Sequence, residues 1–136
     1  MKTIVLGYDD SESAKRALTK VAELAKTSDA SVVLVSAASP LHTGRGIGPI
    51  DPVDPPEVHE EQLGHAKSVL DELDIAAEYE VGLGDPADVI LAAAEKRHAD
   101  MIVVGTGEPG LISRLLGLSV SESVQRRAHC DVLIVH

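Results

Sequence analysis

Phenylalanine and tryptophan are absent from this chain, and Tyr8 and Tyr79 are its only aromatic residues. A core must therefore be packed from Val, Leu, Ile and Ala, which suits parallel strands buried on both faces beneath alanine-rich helices. With only two aromatic rings there is little to stack bases on or to flank a flavin. That weighs against RNA readers and against a flavodoxin-like electron carrier. Cys130 is the sole cysteine, so an intrachain disulfide and a cysteine-based metal site are both excluded. Basic residues are few: 12 Lys and Arg stand against 22 Asp and Glu, a net charge of −10. This balance opposes contact with nucleic-acid phosphates or an anionic membrane surface. No apolar run approaches the roughly 18–20 residues of a membrane span. The opening MKTIVLGYDD reads as a strand start and lacks a signal-peptide pattern, so the expected setting is the cytoplasm.

What is present alternates. Thr3 to Leu6 is an apolar, β-branched run that ends in Gly7-Tyr8-Asp9-Asp10. Ser11 then offers a helix cap, and Ala14, Ala17, Leu18, Val21, Ala22 and Ala25 follow at helical spacing up to Thr27-Ser28-Asp29. Ser31 to Ala37 is a second buried strand. Residues 38–56 are rich in Pro and Gly and have no period; loops beyond about 12–15 residues are commonly functional or disordered. Glu57 to Leu73 reads as a second helix and Ala76 to Val81 as a third, half-buried strand with Ala77, Tyr79 and Val81 inward. Gly82-Leu83-Gly84 is expected to turn the chain into a third helix, with Asp85 as its cap and Pro86 at its first position. Met101 to Val104 is a fourth strand, Ser119 to Ala128 a fourth helix and Asp131 to Val135 a fifth strand. Strands alternating with helices imply right-handed crossovers and one doubly wound parallel sheet, a single α/β domain over residues 1–136.

The stretch from Met101 to Val124 carries the clearest chemistry. An apolar strand breaks into a loop with Gly105, Gly107, Pro109, Gly110 and Gly117, and a helix restarts near Ser119. Glycine lets backbone approach a phosphate, and the N–H groups of a helix start point at it. In an open α/β sheet the ligand sits beyond the carboxyl ends of the strands, where strand order reverses. Central first and fourth strands would bring Gly7-Tyr8-Asp9 beside Gly105-Thr106. Asp9 would then face a nucleotide's polar edge or a bound Mg²⁺, or it would simply begin the following helix, where a carboxylate is favourable in any case. The six histidines (His42, His59, His65, His98, His129 and His136) are scattered and read as solvated. The serines lack a paired His–Asp constellation, and Cys130 reads as an inert core thiol.

Several segments together resemble the universal stress proteins over essentially the whole chain: IVLGYDDSESAKRAL (4–18), VGLGDPADVI (81–90), ADMIVVGTG (99–107), SRLLGLSVSESV (113–124) and CDVLIV (130–135). The resemblance implies a five-stranded parallel sheet of order 3-2-1-4-5, Rossmann-like and akin to the adenine nucleotide alpha hydrolases. It implies a homodimer built through the last strand (Asp131, Val132, Leu133, Ile134 and Val135), and a stress-response regulatory or protective module that is not an enzyme. An adenine nucleotide, ATP or AMP with Mg²⁺, would be held by Tyr8, Asp9, Ala37, Gly105, Gly107, Gly110, Ser119 and Val120. Ala37 enters because the family's adenine contact comes from the end of the second strand. Phosphorylation, known in the family, would fall on Ser119 or Ser121.

The family's nucleotide motif, G-x-x-G, nine residues, then G-(S/T), is only half kept. Aligned on Gly105 and Ser119, its second and third glycines are Glu108 and Leu118. A frame from Gly107 to Gly110 restores the first pair but ends in Val120-Ser121. Leu118 would set a side chain where backbone should meet phosphate, and Glu108 a negative charge near it. Two like charges at about 4 Å cost roughly 1 kcal/mol in water and about 4 at an effective dielectric of 20. The expectation is weak or absent ATP binding, with AMP or cyclic AMP penalised less. The alternative is a genuine adenine-nucleotide switch whose loop re-registers around its other glycines.

Overall fold

A computed structural model of the chain describes residues 2–38, 56–106 and 120–136. In order these form β1 (Thr3–Gly7), α1 (Glu12–Ser28), β2 (Ser31–Ala38), α2 (Pro56–Glu72), β3 (Ala77–Leu83), α3 (Pro86–Lys96), β4 (Met101–Gly105), α4 (Val120–Arg127) and β5 (Asp131–Val135). All four strand pairings are parallel and the sheet order is β3-β2-β1-β4-β5, as expected. The 38–56 loop, apart from its two ends, lies outside the described residues.

Side-chain alternation along the strands divides the core. Ile4, Leu6, Val32, Leu34 and Val103 face α1 and α2, where Val21, Leu63 and Leu70 are fully buried. Val5, Val33, Val35, Ile102 and Val104 face α3 and α4, where Ile90 and Val124 meet them. The two apolar faces explain why β1, β2 and β4 read as continuous hydrophobic runs. Local capping chemistry fixes the helix starts. The Ser11 hydroxyl accepts from the Ala14 N–H at 3.1 Å, and the Asp85 carboxylate accepts from the Asp88 N–H at 3.2 Å, with Pro86 following. Asp29 ends α1 in the left-handed region at φ 56°, which Asp tolerates better than most residues.

Two expectations need correction at β3. The strand continues through Gly82 and Leu83, which pair with Ala37 and Ala38, so the turn begins only at Gly84 with φ +129°. Gly82 is extended because it pairs with Ala37 of β2, and glycine suits the position because Val89 of α3 packs where a Cβ would stand, with its Cγ1 at 2.6 Å from that point. Tyr79, expected inward, is 40% exposed, because β3 is an outer strand that α2 covers incompletely.

Candidate functional site

β1 leads to β2 on one side and lies beside β4 on the other, so strand order reverses between β1 and β4. Gly7 pairs with Val35 and with Val104, which brings the Tyr8–Asp9 corner beside the end of β4. The ladder runs one residue further, since the Tyr8 N–H donates to the Val35 carbonyl at 2.8 Å. Tyr8 and Asp9, the end of β2 with Ala37, and Gly105 therefore share one carboxyl-edge rim, and Val120 starts α4. Gly107, Gly110 and Ser119, like Glu108 and Leu118, lie outside the described residues.

The β1–α1 corner is tied down by its own side chains. The Asp9 carboxylate accepts from the Ser11 N–H at 3.0 Å, a local turn that launches α1. Asp10 sits in the left-handed region at φ 63°, and its carboxylate accepts from the Tyr8 hydroxyl at 3.2 Å. Tyr8 is 5% exposed. Burial pushes its phenol up to about 12, and the Asp10 charge, the hydrogen bond to Asp10 and the Asp9 charge add to the rise. The hydroxyl thus stays a donor at any physiological pH. Asp9 and Asp10 are both exposed at the rim. Asp9 stands two residues before the Ser11 cap, bonded to its N–H and exposed at the carboxyl edge of the sheet.

Gly105 has a structural duty the motif does not announce. A Cβ there would stand 2.7 Å from the Ser13 Oγ and 2.8 and 2.9 Å from the Ser13 carbonyl carbon and oxygen. The first turn of α1 presses on the end of β4, and only glycine allows that approach. Three of the described cations have partners of their own. Lys15 leans on Glu12 at 3.7 Å, the Arg16 Nε donates to the His136 carbonyl at 2.8 Å, and Arg127 pairs with Asp88 of α3 at 2.7 Å. Among the described residues no group of three or more His, Cys, Asp or Glu could hold a metal.

One residue was misread from sequence. His59 is not a solvated histidine: its Nδ1 lies 2.7 Å from the Ser36 Oγ, and its Nε2 is buried without a hydrogen-bond partner among the described residues. The signal was Ser36 itself, a serine inside an apolar strand and 5% exposed, because a buried hydroxyl must find a partner. The pair is no acyl-transfer site. Ser36 is enclosed within β2, and no carboxylate among the described residues orients the ring. Ser121 is also buried, at 7% exposure, which places it poorly for modification. The Cys130 thiol is half-buried, and its pKa is raised by burial, then by Asp131 and Asp100, so it stays protonated and unreactive. No helix among the described residues is long and apolar enough to cross a membrane.

This architecture recurs in known proteins. The family model for the universal stress protein family matches residues 1–136. A universal stress protein of Mycobacterium tuberculosis is 34% identical over 150 residues, covering 99% of this chain and 96% of the relative. One from Methanocaldococcus jannaschii is 36% identical over 139 residues, covering 98% and 81%. Among solved structures, a universal stress protein in complex with cAMP matches with a TM-score of 0.75 and 30% identity, covering 99% of this chain and 96% of that one. The chain, from its β1–β4 switch point to its last strand, belongs to the universal stress protein family.

Proposed function

We propose that this protein is a homodimeric stress-response module, regulatory or protective in action and not an enzyme, whose degenerate nucleotide site binds ATP weakly or not at all. The rim carries the reading: it exposes two carboxylates, Asp9 and Asp10, while Lys15, Arg16 and Arg127 are engaged elsewhere. An ionised carboxylate only accepts hydrogen bonds, so it suits a ribose hydroxyl and repels a triphosphate. Glu108 and Leu118 act in the same direction in the sequence. Pairing through β5, an outer strand of the sheet, would join the two copies.

A second reading, an adenine-nucleotide switch that takes AMP or cyclic AMP, is favoured by the related structure in complex with cAMP. One phosphate group carries far less charge past the carboxylates than three. Calorimetric titration of ATP, AMP and cyclic AMP, each with Mg²⁺, separates the readings. Silence throughout, or ATP binding weaker than millimolar, supports the degenerate site. Micromolar AMP or cyclic AMP with weak ATP supports the switch. Micromolar ATP overturns the degenerate site.

A further inference from the structure

We infer that His59, oriented by Ser36, is a specificity residue that donates a hydrogen bond from Nε2 to a ring nitrogen of a bound purine. The inference rests on the second reading above, that an adenine nucleotide of low charge occupies the rim. His59 lies in the first turn of α2, and that turn stands at the carboxyl edge because α2 carries the chain back from the end of β2. Ser36 lies next to Ala37, and the Tyr8 N–H bond to Val35 sets Tyr8 opposite Ser36. The ring therefore sits one strand across from the corner that carries Asp9.

The 2.7 Å contact admits either group as its donor. With Ser36 donating, Nδ1 accepts and a ring proton sits on Nε2, which is the tautomer the inference requires and the labelled-histidine spectrum below reads. What remains is an imidazole held at one nitrogen, with its other nitrogen buried and without a partner among the described residues. Natural structures rarely leave such a group unpaired unless a ligand or a water completes it. Beside a carboxylate suited to a sugar hydroxyl, the matching group is a neutral heterocycle with lone pairs in its ring. A purine has them.

Three variants and two probes test this in the full chain. His59→Leu should weaken AMP roughly tenfold, about the worth of one hydrogen bond whose donor is lost. His59→Gln, whose amide nitrogen stands near the place of Nε2, should retain most of the affinity. Ribose 5-phosphate, which lacks the base, should bind wild type and His59→Leu alike. The ligand-free His59→Leu protein should melt somewhat lower than wild type, because the buried Ser36 hydroxyl loses its partner, so affinities are compared at a temperature where both are folded. With ¹⁵N-labelled histidine, the Nε2 resonance should be that of a protonated nitrogen and should move on AMP binding, and Ser36→Ala should disturb the tautomer. AMP binding unchanged in His59→Leu overturns the inference and leaves the nucleotide reading intact. So does an Nε2 resonance unmoved at saturating AMP, which would assign the atom to a buried water. Equal losses for AMP and ribose 5-phosphate overturn the assignment to the base. Failure of wild type to bind AMP at all overturns both readings together.

Discussion

Among the described residues β3 and β5 each have a single neighbour in the sheet, so each turns a row of backbone groups outward. Along β3, Glu78 and Glu80 hold Arg97 at 3.1 and 3.3 Å, and Glu80 also holds Lys96 at 3.0 Å. An incoming strand would have to lie beside four charged side chains. β5 has a charge only at its first residue, Asp131, followed by half-buried Val132, Leu133, Ile134 and Val135. It is also fixed from within: the Thr106 N–H donates to the Val135 carbonyl at 3.0 Å, and Arg16 holds the carbonyl of His136. Charge on an outer strand is a common device against unwanted pairing, and its lack on a rigid, apolar strand leaves a template for a second copy. The contrast supports β5 as the pairing strand of the proposed dimer and β3 as the blocked one.

A matched pair of prolines gives the largest effect that could break this contrast. In a strand, a residue's N–H and C=O point to the same side. The Val135 carbonyl is bonded to β4 and the Ala76 carbonyl to β2, so Ile134 and Tyr79 turn their N–H groups outward. Proline at either position leaves the internal ladder whole and removes one outward donor. Ile134→Pro should convert the dimer to a monomer in sedimentation velocity, and Tyr79→Pro should leave the dimer unchanged. A dimer lost through Tyr79→Pro would reverse the assignment of the two edges.

The next effect is on stability, and it compares how the two sides of the sheet are held. In Gly105→Ala the new Cβ meets Ser13 backbone atoms at 2.8 and 2.9 Å, so α1 itself must shift. The expected loss in urea denaturation is about 1–3 kcal/mol. Gly82→Ala, on the β3 side, meets only the Val89 side chain and no backbone atom, so less of the structure has to move. Its loss should be clearly the smaller. Equal losses would mean that α1 yields as easily as a rotamer, and that the β5 side is not the rigid one.

The same contrast marks how far the sequence could be read. Apolar periods and caps are local, so β5 was bounded residue for residue, and Ser11, Asp85 and Pro86 were placed correctly at their helix starts. The end of β3 was misjudged because Gly82 has turn chemistry of its own, while its extended backbone is decided by its pairing with β2. His59 was misjudged for a related reason: its partner lies 23 residues away and is visible only once α2 is laid on β2. Gly105 was singled out from sequence for a phosphate cradle, and the structure gives it a packing duty. Its contact with Ser13 belongs to helix packing, which no spacing within the loop reveals.

The smallest effect tests whether the charges on β3 guard the edge or merely hold it together. Arg97→Ala removes two of the three ion-pair contacts there, all at least a quarter exposed. Exposed pairs are worth about 0.2–1 kcal/mol, so the stability loss should fall in that range at low salt. It should shrink toward zero near 1 M salt, where the screening length is only about 3 Å. The guanidinium itself does not titrate in any working range. Its pKa is raised by the hydrogen bond to Glu78, with the charges of Glu78 and Glu80 adding and burial opposing, so the loss should not vary with pH through Arg97. Association should not increase, because Glu78 and Glu80 remain and now repel an approaching strand more strongly. If Arg97→Ala instead forms higher oligomers by sedimentation, the arginine rather than the glutamates closes the edge, and β3 would be a second pairing strand held in reserve.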